Sequence, residues 1–291
     1  MQCFVDCVFC YLKQAANCMG IAGVDEETQH RVLYDLMDDI KTLDRSRTPA
    51  ENSTELLLNV YRAIGSNDPY REAKASSNAM ALEMYPRLKE YLNNAPDRLY
   101  DAIKISVAGN VIDLGINKDF DIDASLKQCL NSGFARDDYS LFKEKLSNTE
   151  NVLVVGDNAG EIVFDKLLVE ELNSQGKRVT YLVKGGPALN DATMEDAVRT
   201  GMDQAARLTT TGSNYLGAPL GKVSPAARSL LENAGLVISK GQANFETLEH
   251  EEMARGRVFF LLKIKCECVS QIAKAKFGEV VFFTRRPGGP K

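Results

Sequence analysis

The chain has 291 residues and an apolar fraction of 44%, enough for one large domain or two unequal ones around a sizeable core. Lys and Arg number 35 against 40 Asp and Glu, a formal net charge of −5 that disfavours nucleic acid and anionic membranes as partners. No run approaches the roughly 18 apolar residues of a membrane span, and MQCFVDCVFCYLKQ lacks the basic region and cleavage site of a signal peptide, so a soluble, cytoplasmic protein is expected.

Four of the seven cysteines fall in the first 18 residues. Cys3, Cys7 and Cys10 follow a C-x3-C-x2-C pattern that sets three thiols on one helical face, with Cys18 further on. The pattern reads as a zinc or iron–sulfur site, or as small buried hydrophobes with an opportunistic disulfide. The second cysteine pair of a zinc site would come only from Cys266 and Cys268.

Helical periodicity dominates the first half. Val32, Leu33, Leu36, Ile40 and Leu43 recur at helical spacing behind Asp25, a natural N-cap. Thr48-Pro49-Ala50-Glu51 carries the cap, first-turn proline and capping-box acid of a helix start, and Gly65 marks its end. A long pattern runs from Pro69 to Asn93 with Pro86 inside, and another from Pro96 to Val107.

After about residue 150 the texture changes. Apolar runs at 151–158, 178–186, 235–241, 257–265 and 279–285 alternate with helical patterns at 160–175, 193–200 and 225–234. Continuous apolar strands separated by helices predict a three-layer α/β/α Rossmann-like core with a mostly parallel sheet. The expected division is an N-terminal all-helical domain over 1–140 and an α/β domain over 141–291.

Ligands of such a sheet bind beyond the carboxyl ends of its strands. There the sequence places Gly156-Asp157-Asn158-Ala159-Gly160-Glu161, then Lys184-Gly185-Gly186 with Asn190-Asp191, then Lys240-Gly241-Gln242-Ala243-Asn244-Phe245-Glu246, and finally Lys263, Lys265 and Cys266. Singly, Asp157-Asn158 and Asn190-Asp191 are ordinary turn and cap residues, and strand-end lysines are ordinary solvated charges. Four polar, glycine-bearing or cationic strand ends together call for a common cause. Asp157, Asn158 and Asp191 are hard oxygen donors suited to a divalent cation, which would polarise a phosphoryl group and orient or acidify an attacking water. Lys184, Lys240 and Lys265 would neutralise the transferring group, and the glycines would let backbone N–H groups approach phosphate. The two histidines, His30 and His250, stand apart from all of these segments.

GDNAGEIVFDKLL, KGGPALNDATMEDA and ISKGQANFETL resemble three motifs of the damage-control phosphatase family. SNDPYREAKASSNAMAL, SVAGNVIDLG and the cysteine-rich start resemble its subfamily found in archaea, bacteria and plants. The resemblance spans nearly the whole chain. It implies metal-dependent hydrolysis of small phosphomonoesters, sugar phosphates or damaged phosphometabolites, with one divalent ion (Mn²⁺, Co²⁺, Ni²⁺ or Mg²⁺) held by Asp157, Asn158 and Asp191. It further implies substrate contacts at Lys184, Gly185, Asn190, Lys265 and Asn244, and it sets no oligomeric state. Glu161 and Glu246 are candidates for support or for the general base. Should the helical half cover the site, Lys74 and Asn78, at i and i+4, could reach the substrate, with Asn110 and Asp113 as pocket wall.

Two other classes compete. An S-adenosylmethionine-dependent carboxyl methyltransferase or another cofactor-binding Rossmann-like protein would use the GDNAG glycines, although G-x-G-x-x-G spacing is absent. A non-enzymatic metal- or thiol-binding protein would use the N-terminal cysteines.

Overall fold

A computed structural model describes residues 1–111, 130 and 133–286. Asp113 lies outside them, as does the side chain of Asn110, whose backbone belongs to the helix Arg98–Val111. Among the described residues, seven strands form one sheet: β1 (Arg136–Asp137), β2 (Asn151–Val155), β3 (Arg178–Val183), β4 (Arg207–Thr210), β5 (Leu236–Lys240), β6 (Val258–Lys263) and β7 (Val280–Thr284). Their spatial order is β1-β7-β6-β5-β2-β3-β4, and every pairing is parallel except β6 with β7.

Side-chain alternation along each strand feeds two cores. Val152 and Val154 face one side, with Phe259 and Leu261 of β6; Leu153 and Val155 face the other, with Phe260 and Leu262. The first face is covered by helices Arg71–Asn93, Arg98–Val111, Tyr139–Ser147 and Glu161–Ser174. The second is covered by Pro225–Asn233, Gln242–Leu248 and Glu267–Ala273. The three layers follow from continuous apolar strands that must be buried on both sides. Residues on both sides of position 140 contribute to these layers.

Helices Asp6–Ile21, Glu26–Lys41 and Pro49–Ile64 pack around a third core that also takes in Ala188 and Leu216 from the loops beyond the sheet. Their ends follow the local code. Asp25 accepts from Thr28 N–H, Thr48 and Glu51 form the capping box, and Gly65 closes its helix at φ 68°. Among the described residues no helix is long and apolar enough to cross a membrane.

Among the described residues, two strands and three helices escape the sequence pattern. β1 and β4 are short and carry polar residues at a sheet edge, where one-sided burial asks for no apolar run. The helices Tyr139–Ser147, Gln242–Leu248 and Glu267–Ala273 span only two to three turns, too few for a clear period.

Candidate active site

The chain runs outward from β2 to β3 and β4, then returns to β5 on the other flank of β2. This reversal opens a crevice at the carboxyl ends of β2 and β5, where open α/β sheets collect their ligands. Asp157 stands two residues past β2, Asp191 lies in the loop after β3, and Lys240 ends β5.

Backbone pairing brings the first two together. Ala159 N–H donates to Asn190 O at 2.9 Å and Ala192 N–H to Asp157 O at 2.8 Å, which sets Asn158 opposite Asp191 in an isolated antiparallel bridge. Both carboxylates are buried. Asn158 Nδ2 donates to Asp157 Oδ2 at 2.8 Å and to Glu161 Oε2 at 3.2 Å.

Burial, then the charges of Asp191 and Glu161, push the Asp157 carboxyl up to about 8. Burial also raises Asp191, opposed by the nearby Lys184 ammonium. Asp191 Oδ2 is shut off from solvent and accepts no hydrogen bond, although Lys184 Nζ stands 3.4 Å away. Crowded carboxylates and an unsatisfied buried oxygen are a costly arrangement that a shared cation would relieve. Among the described residues no three His, Cys, Asp or Glu side chains are grouped to hold a metal. The oxygen donors at hand are two carboxylates and one amide, a set that fits a hard divalent ion whose remaining positions go to water and substrate.

A pocket of about 220 Å³ opens over this pair. Asp157, Asn158, Asn190, Asp191 and Lys265 line it from the sheet edge, Gln242 and Glu246 from the helix after β5, and Asp6, Cys7 and Cys10 from the N-terminal helix. Burial pushes Glu246 up to about 7, against a 2.9 Å hydrogen bond from Gln242 Nε2.

Several residues expected at the phosphate are engaged elsewhere. Lys240 is fully buried, and its Nζ donates to Glu161 Oε1, to Asp165 Oδ1 at 2.6 Å and to Ser106 O at 3.1 Å. Tyr181 OH and Ser106 Oγ complete the shell of Asp165 at 2.6 and 2.5 Å. An isolated ammonium so far from water is held only by such paired acids, so Lys240 lies beneath the site, not around its rim. Lys184 Nζ donates to Gly217 O at 2.6 Å and stands 3.4 Å from Asn244 Oδ1, while Asn244 Nδ2 binds Gly156 O and Lys240 O at 2.9 and 2.7 Å. Gly185 N–H is taken by Ser213 O at 2.8 Å and Thr211 Oγ1 at 3.0 Å.

The helical cover meets the site from behind as well. Asn78 Oδ1 accepts from Gly160 N–H at 2.7 Å, and its Nδ2 donates to Asp196 Oδ1 at 2.9 Å. Lys74, equally buried, pairs with Asp68 at 2.9 Å and Asp196 at 3.8 Å. Both side chains tie the helix Arg71–Asn93 to the sheet loops. Asp165, Asp196 and Gly241 lie within the sequence motifs, but nothing local singles them out as parts of the site. Asp165 carries a partial signal, an acid four residues after Glu161 and flanked by the apolar residues Phe164, Leu167 and Leu168.

The fold is an open α/β sheet with a polar pocket at its topological switch point, and the relatives of the chain give the class of enzyme. The family model of the damage-control phosphatase ARMT1-like domain matches residues 3–281. A damage-control phosphatase from Pyrococcus horikoshii is 31% identical over 284 residues, covering 97% of each chain. One from Archaeoglobus fulgidus is 33% identical over 237 residues, 80% of this chain and 81% of the relative. The crystal structure of a DUF89 family protein from Pyrococcus horikoshii superposes with a TM-score of 0.90 at 29% identity, covering 98% of this chain and 100% of that one. The chain belongs to the damage-control phosphatase ARMT1-like family and is a phosphatase, which sets aside the cofactor-binding and non-enzymatic alternatives.

Proposed function

We infer that the protein is a divalent-metal-dependent phosphatase of small phosphomonoesters, sugar phosphates or damaged phosphometabolites, working in the cytoplasm. One observation carries the reading: Asp157 and Asp191 are buried side by side on a small pocket, and Asp191 Oδ2 accepts no hydrogen bond. Asp157, Asn158 and Asp191 would hold the ion, one of Mn²⁺, Co²⁺, Ni²⁺ or Mg²⁺. A bound divalent cation supplies Lewis-acid polarisation of the phosphoryl group and a lowered pKa for water.

The chain's own groups divide the remaining work. Lys265 and Asn190, on the pocket wall, receive the phosphoryl oxygens and offset their charge. Lys184 steadies Asp191, and Glu161, pinned by Lys240, steadies Asn158. Glu246, in the same pocket and pushed up to about 7, is placed to take or return a proton near neutral pH. The pocket volume, about 220 Å³, suits a small metabolite, and the helical residues before 140 close it and select the ester.

The test is hydrolysis of p-nitrophenyl phosphate and a panel of sugar phosphates by metal-stripped protein, with each of the four ions added back. Turnover should depend on the ion and vanish in a folded Asp157→Ala variant. Full turnover without added ion, or in that variant, would overturn the assignment.

A further inference from the structure

Asp191 reaches the pocket through a turn that its own residues do not favour. Asp191 N–H donates to Ala188 O at 3.0 Å, closing a four-residue turn in which Leu189 is the first central residue, at φ 48°. That position calls for glycine or asparagine, because a β-carbon at positive φ crowds a backbone carbonyl oxygen. Lys274, the other non-glycine residue with positive φ among the described residues, ends the helix Glu267–Ala273, where such a conformation is ordinary. Leu189 stands at no helix end, so a tertiary contact has to hold it.

The contact comes from the helix Pro49–Ile64. Leu189 N–H donates to the Tyr61 hydroxyl at 2.9 Å, and Tyr61 is buried in the third core, where Ala188 and Leu189 also pack. A second bond from the same helix reaches Asp191 by another route. Leu216 N–H donates to Thr54 Oγ1 at 3.0 Å, and the next residue, Gly217, accepts Lys184 Nζ at 2.6 Å. That ammonium stands 3.4 Å from Asp191 Oδ2. Thr54 and Tyr61 are seven residues apart, two helical turns, and so share one face of the helix. Just after Leu189, Asn190 O and Ala192 N–H make the two bonds that set Asn158 opposite Asp191. One hydroxyl on the helical cover is thus joined, through a single turn, to the paired acids at the sheet edge.

We propose, on the reading of Asp191 as a ligand of the divalent ion, that Tyr61 is a positioning residue of the phosphatase site. Its hydroxyl holds Leu189 in the left-handed conformation, and the turn so fixed aims Asn190 and Asp191 at Asp157. Without that hydroxyl the leucine relaxes to negative φ, the turn opens, and Asp191 swings away from Asp157. Leu189 and Leu216 line the pocket, and Tyr61 and Thr54 act on it by holding their backbones.

The test compares the parent with Tyr61→Phe, which keeps the buried ring, and with Tyr61→Phe/Leu189→Gly, since glycine takes positive φ without steric cost. In metal-stripped full-length protein, the Asp191 and Ala192 amides should exchange hydrogen ~10-fold faster in Tyr61→Phe, the change expected for one lost hydrogen bond. Faster exchange confined to the Leu189 amide would show a local cap only and would overturn the proposal. Calorimetric titration should show Mn²⁺ bound ~10-fold or more weakly in Tyr61→Phe, as when groups behind a metal's ligands are removed. The double variant should largely recover the parental affinity. Parental affinity in Tyr61→Phe, or no recovery with Leu189→Gly, would equally overturn the role of Tyr61. Asp191→Ala keeps this result apart from the metal assignment. Where that variant binds Mn²⁺ as tightly as the parent, Asp191 is not a ligand, and the amide exchange alone decides whether Tyr61 positions it.

Discussion

The Asp157 carboxylate rests against the backbone of Gly241, so closely that a β-carbon on residue 241 would overlap Oδ2. Gly241 also sits at φ 76°, a conformation that side chains other than glycine's rarely adopt. The first residue after β5 thus sets the position of the acid that follows β2.

Gly241→Ala should therefore displace Asp157. The expected loss is ~100-fold or more in kcat/KM for a phosphomonoester, since a misplacement of about 1 Å in a catalytic group costs that much. Steady-state kinetics beside a thermal melt check it. A folded variant with parental kinetics would show that the contact does not position Asp157.

Divalent ions should stabilise the protein through Asp157 and Asp191. At an ion concentration 100 times the dissociation constant, linkage gives ~2.7 kcal/mol of added stability. Melting the metal-stripped protein against rising Mn²⁺ should show this as an increase in Tm, and Asp191→Ala should remove most of it. An equal Tm increase in the variant would place the ion elsewhere.

Lys240→Met should be strongly destabilising, because Glu161 and Asp165 would lose the cation buried between them. Removing one partner of such a group typically costs ~3–5 kcal/mol. Adding Asp165→Asn should recover part of the loss by removing one stranded charge. Urea titration of parent, single and double variants reads this as a coupling energy, and simple additivity would refute the network.

Asn78→Ala removes the acceptor of Gly160 N–H and the donor to Asp196 together. Leaving buried groups unsatisfied costs ~1–3 kcal/mol each. Chemical denaturation measures the loss. Hydrogen exchange should also show the Gly160 amide losing protection in the variant.

Glu246 gives a pH signature. Its native carboxyl lies at about 7 against 4.5 for the free group, so the folded state holds the proton more tightly than the unfolded state. That contribution is fully present below about 4.5 and is lost as pH rises through about 7. Relative to the parent, Glu246→Gln should therefore gain stability between pH 5 and 8. A Tm difference that stays constant over that interval would contradict the assigned environment.

Much of this protein is legible in the sequence because its cause is local. Thr48 and Glu51 cap a helix through contacts three residues apart, and Val152 to Val155 alternate between two cores because a strand reverses its side chains at every step. The acids after β2 and β3 could likewise be found at strand ends, where a parallel sheet binds its ligands. Tertiary structure alone decides what those residues meet. Lys184, Lys240 and Lys265 look equivalent as strand-end lysines, yet Lys265 lines the pocket, Lys184 stands beside Asp191, and Lys240 turns under the sheet edge toward Glu161 and Asp165. Asn78 and Gly160, 82 positions apart, become partners only when the helices pack on the sheet. A side chain's charge is written in the sequence, but the groups that neutralise it arrive from distant segments, and burial then decides whether it binds a ligand or braces the site.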